Sequence, residues 1–313
     1  MTGGLGRVPK STMASASGQW FPWTRLMIAA KSRHLERRRS ERGRDMDTIK
    51  TTDGMTLVGK ESRVVDQPFS VVQFDNVIAE QTFETLNKTF PEPDGRWDEG
   101  RGLDSKFFIG SENPVFGDIV GASSQWTDLL ASLRDPMFWT EVGGLIHPIM
   151  YRHREANLLA SALPSDLIAS IDHRDQFLDI LRQRTRSYFQ FSHLCRDNLN
   201  APHADDWRKI VSLIVYVPPV DWRGEYGGGT VFLRAKADLS SLSWYEETMN
   251  RVPAEHGKAF ASDMEPFFRS DYRANACVLF CKTKNSFHAV EPIKCPASHT
   301  RRALVLGLKV LDE

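Results

Sequence analysis

The sequence predicts an α+β fold in which a helical layer supports a β-sandwich. Three observations carry that expectation. Apolar residues recur at helical spacing through the first part of the chain, down to about Arg184. After Arg186 the texture changes to short runs rich in Val, Ile, Leu and Phe, punctuated by Pro and Gly. The chain has 313 residues, enough to bury a substantial core, and segregated helices and strands suit one layered unit.

Residues 1–45 stand apart. They hold ten Lys and Arg, among them Arg37, Arg38 and Arg39, against only Glu36, Glu41 and Asp45. Low apolar density with like-charge runs cannot repay the entropy of ordering, so this arm is expected to be a disordered extension. A basic, Ser-containing import leader is the competing reading. A single domain is expected over 46–313, with helical support over about 68–185 and a β core over about 186–313.

Phe69–Phe74 reads as a strand and Asp75-Asn76 as a turn. Phe83, Leu86 and Phe90 give 79–90 a helical stripe, and 91–102 is turn-rich. Further helices are expected over about 123–133, 136–161 and 164–184, with Pro164 breaking the last two. Strands are expected at 187–193, 210–217, 229–233, 276–281, 287–290 and 301–311. The stretch 235–273 is longer than a connection requires. It holds Trp244, Tyr245, Arg251, Phe267, Phe268, Arg269 and Tyr272, which suits either a lid over a pocket or a decorative insertion.

Composition excludes some roles. The net charge of zero hides an asymmetry: without the basic arm the body has 30 basic and 37 acidic residues, a net −7. Such a body is a poor match for a phosphate backbone, so nucleic acid is not an expected partner. No segment approaches the roughly 20 uncharged apolar residues that span a bilayer, so no membrane is expected either. The four cysteines (Cys195, Cys277, Cys281, Cys295) form no C-x-x-C pair, which suits a reducing cytoplasm.

The chemistry concentrates late in the chain. His-x-Asp/Glu occurs four times, at His34, His153, His173 and His203. His34 lies in the basic arm, and His153 and His173 lie in helical patterns, where residues two apart point to nearly opposite faces. In an extended segment residues two apart share a face, so His203 and Asp205 can converge on one ion. The third ligand should come from a later strand, and His288 stands at the start of one. His299 competes from a Pro/Ser loop, and His256 falls in an irregular stretch. Two imidazoles and one carboxylate on one face of a metal leave the opposite positions open, which suits non-haem Fe(II) binding a co-substrate and O2 together. An arginine soon after supplies a planar, permanently charged fork for a dicarboxylate. On a strand Arg301 shares a face with Ala303, whose small side chain leaves room, so Arg301 is preferred over Arg302.

From about Pro68 onward the chain resembles the Fe(II)/2-oxoglutarate-dependent oxygenases, in particular their prolyl-4-hydroxylase-like branch. The matching residues are His203-Ala-Asp205, Val211–Val217, Gly227–Leu233, Ala276–Phe280, His288-Ala-Val290 and Arg301–Leu304, in that family's order. The resemblance implies a double-stranded β-helix, or jelly roll, with supporting N-terminal helices. It implies that His203, Asp205 and His288 bind iron, that Arg301 holds the distal carboxylate of 2-oxoglutarate, and that Tyr216 reaches the co-substrate unless it is simply a buried strand tyrosine. Gly227–Gly229 matches a glycine turn that reads as a hairpin device. Hydroxylation of an unactivated C–H bond is the implied reaction, and Asp205 speaks against a halogenating variant. The expected substrate is a small molecule, such as an amino acid or natural-product intermediate. A protein or peptide hydroxylase and a non-oxidative metal-binding β-barrel are the alternatives.

Overall fold

A strand whose sheet is covered on both faces loses its polar alternation and reads as a continuous apolar run. The computed structural model describes residues 54–100, 106–154, 163–205, 208–236, 262–283 and 285–311, so the basic arm lies outside the described residues. The first strands are β1 (Glu61–Val65), β2 (Val71–Phe74), β3 (Asp98–Glu99) and β4 (Lys106–Gly110). After the helices come β5 (Thr185–Leu194), β6 (Asn200–His203), β7 (Lys209–Tyr216) and β8 (Thr230–Ala235). The last are β9 (Met264–Arg269), β10 (Cys277–Cys281), β11 (Phe287–Val290) and β12 (Arg301–Val310). One antiparallel sheet has eight strands in the order β1-β2-β10-β7-β12-β5-β4-β3; a second has four, β6-β11-β8-β9. From β5 onward the chain crosses repeatedly between them: β5, β7, β10 and β12 lie in the large sheet, and β6, β8, β9 and β11 in the small one.

The large sheet explains the apolar runs seen in the sequence. Val211, Leu213 and Val215 of β7, with Leu304 and Leu306 of β12, face the helices. Ile214 and Tyr216 of β7, with Val278 and Phe280 of β10, face Phe232 and Phe268 of the small sheet. Both faces are therefore buried.

Among the described residues the helices are α1 (Glu80–Lys88), α2 (Phe116–Gly121), α3 (Ser124–Arg134), α4 (Pro136–Arg152), α5 (Ser165–Ala169) and α6 (Arg174–Arg184). Ser123 caps α3, accepting the Trp126 N–H at 3.4 Å, and Asp135 caps α4, accepting from Met137 at 2.7 Å. Trp126 locks α3 to the sheet. Its ring meets Phe90 and Phe191 edge-on at 5.5 and 4.9 Å, and its indole N–H donates to the Thr89 carbonyl at 2.9 Å. Truncating such a residue costs about 3–5 kcal/mol.

Several elements depart from expectation. The single helix expected over 164–184 is broken into α5, a 3₁₀ turn at Ser170–Asp172 and α6. His173 is extended (φ −128°, ψ 95°), and the Ser170 hydroxyl donates back to Leu167 O at 2.7 Å, the kind of local bond that competes with a continuing helix. The helix expected over 136–161 is described only through Arg152, where it ends. The stretch 235–273 is not wholly an insertion, because β9 within it pairs with β8. Trp244, Tyr245 and Arg251 lie outside the described residues. Among the described residues no helix is long and apolar enough to cross a membrane.

Candidate metal centre

Strands β6 and β11 pair antiparallel with His203 directly opposite His288. Their rings lie 4.3 Å apart, centroid to centroid. A carbonyl oxygen can only accept, so the partner of each Nδ1 fixes the tautomer. His203 Nδ1–H donates to Ala201 O at 2.8 Å, and His288 Nδ1–H donates to Ser286 O at 3.1 Å. Both Nε2 atoms are left with a lone pair available to a metal, oriented by their outer partners. Phe280 and Phe232, with ring centroids 4.7 and 6.1 Å from that of His288, hold it further. Asp205 follows two residues after His203. One ligand atom from each of His203, Asp205 and His288 lies within 4.8 Å of the others.

The electrostatics favour ligand-ready forms. Burial lowers the basicity of both imidazoles, and in His203 the adjacent His288 lowers it further. Burial alone would push the Asp205 carboxyl up. The Lys209 ammonium above all, with the hydrogen bond from the Ser212 hydroxyl, outweighs it and holds Asp205 well below the usual carboxylate range. Lys209 Nζ is 2.9 Å from Asp205 Oδ1, and the Ser212 hydroxyl donates to Oδ2. Two neutral imidazoles and one carboxylate result.

Arg301 lines the cavity that holds the three residues. It is 5% exposed, its Nε–H donates to Gly228 O at 2.6 Å, and the rings of Tyr216 and Tyr272 each lie 5.4 Å from its guanidinium carbon. Arg302 points the other way. Its Nε–H donates to Val217 O at 3.0 Å, an NH2 donates to Asn87 Oδ1 of α1, and its guanidinium lies over Phe90. Tyr216 is fully buried behind Arg301. Its hydroxyl donates to Thr230 Oγ1 at 2.7 Å and lies 2.6 Å from Ser270 Oγ, so the ring props Arg301 while Thr230, not Tyr216, lines the cavity. The glycine turn is not a hairpin, since β7 and β8 belong to different sheets. Gly227 and Gly228 have φ of 77° and 104°, and the Gly228 carbonyl they aim is the one Arg301 grips.

Among the described residues the other histidines stay away. His299 pairs with Asp221 at 2.8 Å and His153 Nε2 meets Ser70 Oγ at 3.0 Å, while His34 and His256 lie outside the described residues. Sequence reasoning missed Lys209, Ser212, Lys106 and the role of Tyr272. The spacing of Lys209, four residues after Asp205, was the one available signal.

No protein-family model matches the chain, and no curated protein matches it. Solved structures similar to it include a Pseudomonas putida prolyl-4-hydroxylase, 12% identical over 77% of this chain and 92% of that one, with a TM-score of 0.42. A prolyl hydroxylase from Trichoplax adhaerens, solved with a hypoxia inducible factor peptide fragment, is 11% identical over 77% and 83%, with a TM-score of 0.36. HygX from Streptomyces hygroscopicus, solved with nickel and 2-oxoglutarate, is 10% identical over 77% and 82%, with a TM-score of 0.37.

Proposed function

We propose that this protein is an Fe(II)- and 2-oxoglutarate-dependent oxygenase that hydroxylates an unactivated C–H bond of a small molecule. The observation that carries the reading is the convergence of His203, Asp205 and His288 on one point of a cavity that Arg301 also lines. The crossing of the chain between two antiparallel sheets from β5 to β12 supports a double-stranded β-helix as the scaffold.

The residues present fit the metal. Both imidazoles keep Nε2 free by committing Nδ1 to a carbonyl, and Asp205 is held ionised. His203, His288 and Asp205 would hold Fe(II), a donor set suited to that ion with positions left open. Bound there, Fe(II) and 2-oxoglutarate would supply O2 activation coupled to oxidation of the co-substrate to succinate and carbon dioxide. Arg301 would take the distal carboxylate of 2-oxoglutarate, and the Tyr216 and Tyr272 rings beside it fix the guanidinium plane. Lys209 and Ser212 set the rotamer of the Asp205 carboxylate by engaging one oxygen each.

The test is Fe(II) and 2-oxoglutarate binding under anaerobic conditions, followed by succinate release across a pooled metabolite library. Wild type is expected to turn over with at least one pool, and His203→Ala and Arg301→Ala to lose that turnover. Failure of the wild type to bind Fe(II) would sink the reading.

A further inference from the structure

The wall around the three proposed ligands is positive. Among the described lining residues three cations, Lys106, Lys209 and Arg301, face one carboxylate, Asp205. Arg301 is gripped by the Gly228 carbonyl between two tyrosine rings, and Lys106 lies over the Phe108 ring at 5.5 Å. Lys209 meets the carboxylate itself. Its Nζ is 2.9 Å from Asp205 Oδ1, and the two side chains are only 12% and 11% exposed.

The surroundings of Lys209 keep it there. Its Nζ lies over the Tyr188 ring of β5 at 5.5 Å, and that of Lys309, its partner in register on β12, lies over the same ring at 4.0 Å. Lys309 engages one oxygen of Glu112 at 3.0 Å and Arg186 engages the other, also at 3.0 Å. Lys209 therefore has a like charge on one side and Asp205 on the other, and leaving Asp205 would strand a buried ammonium. Orientation of the ligand does not by itself call for a charge at this place. The Ser212 hydroxyl already holds Oδ2, and a neutral donor could hold Oδ1 equally well. What the ammonium adds is a positive charge where screening by solvent is weak.

We propose that Lys209 is a positioning residue that acts through Asp205 by its charge: it lowers the affinity of the site for a divalent ion alone and raises that for the dianionic co-substrate, so that the ion is held firmly only once the co-substrate joins it. The proposal rests on the oxygenase reading of the site. The argument is one of signs. A fixed cation in contact with the carboxylate opposes a second cation on the same group and attracts a dianion in the same cavity. A residue that merely oriented Asp205 would act on the ion with the opposite sign, since its removal would loosen the ligand and weaken metal binding.

The test is anaerobic calorimetric titration of the full chain, first with Mn(II) alone and then with 2-oxoglutarate at saturating Mn(II). Lys209→Gln keeps a donor for Asp205 Oδ1 and removes the charge. It should bind Mn(II) about tenfold more tightly than wild type and 2-oxoglutarate about tenfold more weakly. Lys209→Met, with a stem of similar length to pack on Tyr188, should shift both affinities in the same directions. Lys209→Arg keeps the charge and should stay within about threefold of wild type in both. Mn(II) affinity unchanged or weakened in the two neutral variants would reduce Lys209 to an orienting group and overturn the proposal. So would an unchanged 2-oxoglutarate affinity, or a shift in Lys209→Arg as large as in Lys209→Gln. Wild type that binds no Mn(II), or no 2-oxoglutarate once loaded, would sink the oxygenase reading and this role with it. Wild type that binds both, with neutral variants that match it, would sink the role of Lys209 alone.

Discussion

Arg301 and Arg302 are neighbours in sequence with opposite destinations. Strand alternation sends Arg301 to the cavity and Arg302 to the helical layer, where Asn87 and the Val217 carbonyl receive it. Arg301→Ala should therefore weaken 2-oxoglutarate binding by at least about tenfold, the loss of a charge-assisted pair. Arg302→Ala should leave that affinity within about twofold and instead lower stability by about 1–3 kcal/mol, since Asn87 and a carbonyl lose a buried partner. Calorimetric titration with 2-oxoglutarate and urea unfolding of both variants check this, and the reverse pattern would exchange the two roles. The choice of Arg301 was legible in the sequence because alternation needs only a strand and a small neighbour, Ala303. So was the His203 and Asp205 pair, whose i, i+2 spacing has meaning only in an extended chain. The convergence of Lys106 was not. It arrives on β4, about a hundred residues before the pair, and no local pattern links it to them.

At the scale of elements, the strands buried on both faces announced themselves and the edge strands did not. Strand β9 reads Met-Glu-Pro-Phe-Phe-Arg, and a proline inside a run argues against a strand. It is tolerated because β9 is the edge of the small sheet and the β8–β9 register shifts between Phe232 and Leu233, where Pro266 pairs. Strand β6 is just as hard to read: Asn200-Ala-Pro-His203 has one proline and no apolar alternation, yet it carries a proposed ligand. What fastens β8 to the end of β9 is a close approach rather than an apolar pattern. Ser270 N–H donates to Thr230 O at 3.0 Å, and Thr230 N–H donates to Ser270 Oγ at 2.8 Å. A Cβ on Gly229 would lie 2.1 Å from the Ser270 carbonyl oxygen. Backbone cannot yield as a flexible side chain does, so Gly229→Ala is expected to cost about 2–4 kcal/mol, and about 5–10 °C in Tm for a domain of this size. The same shift would move Thr230 and Ser270 off the Tyr216 hydroxyl and loosen the prop behind Arg301. A melting curve within 1–2 °C of wild type would show that this junction is softer than its distances imply.

Across the whole molecule, one buried histidine joins the helical layer, the large sheet and the approach to the site. His193 of β5 donates from Nε2 to Pro91 O at 2.8 Å, accepts the Thr300 hydroxyl on Nδ1 at 2.8 Å, and packs edge-on against Phe90 and Trp97. Thr300 directly precedes Arg301, so this ring ties the cavity cation to the loop after α1. Both nitrogens are used by the neutral form only. Burial first, then the nearby Arg302 charge, hold its pKa down to about 4, although the Pro91 carbonyl favours the charged ring. In the unfolded chain the same group titrates near 6.5. Between these values the unfolded state binds a proton that the folded state refuses, so stability falls as pH falls from about 6.5 towards 4 and is insensitive to this group above about 7. The shift is worth roughly 2–3 kcal/mol at pH 4.5. His193→Gln keeps a donor for Pro91 and cannot titrate. It should lower stability at pH 7.5 through imperfect packing, yet show a loss between pH 7.5 and 4.5 that is smaller than wild type by about 2 kcal/mol. Urea unfolding of both proteins at the two pH values measures that difference directly, and because other acid-sensitive groups are common to both, equal losses would mean that His193 already carries a proton in the folded protein and that the Thr300–His193–Pro91 chain is not what couples acid to stability.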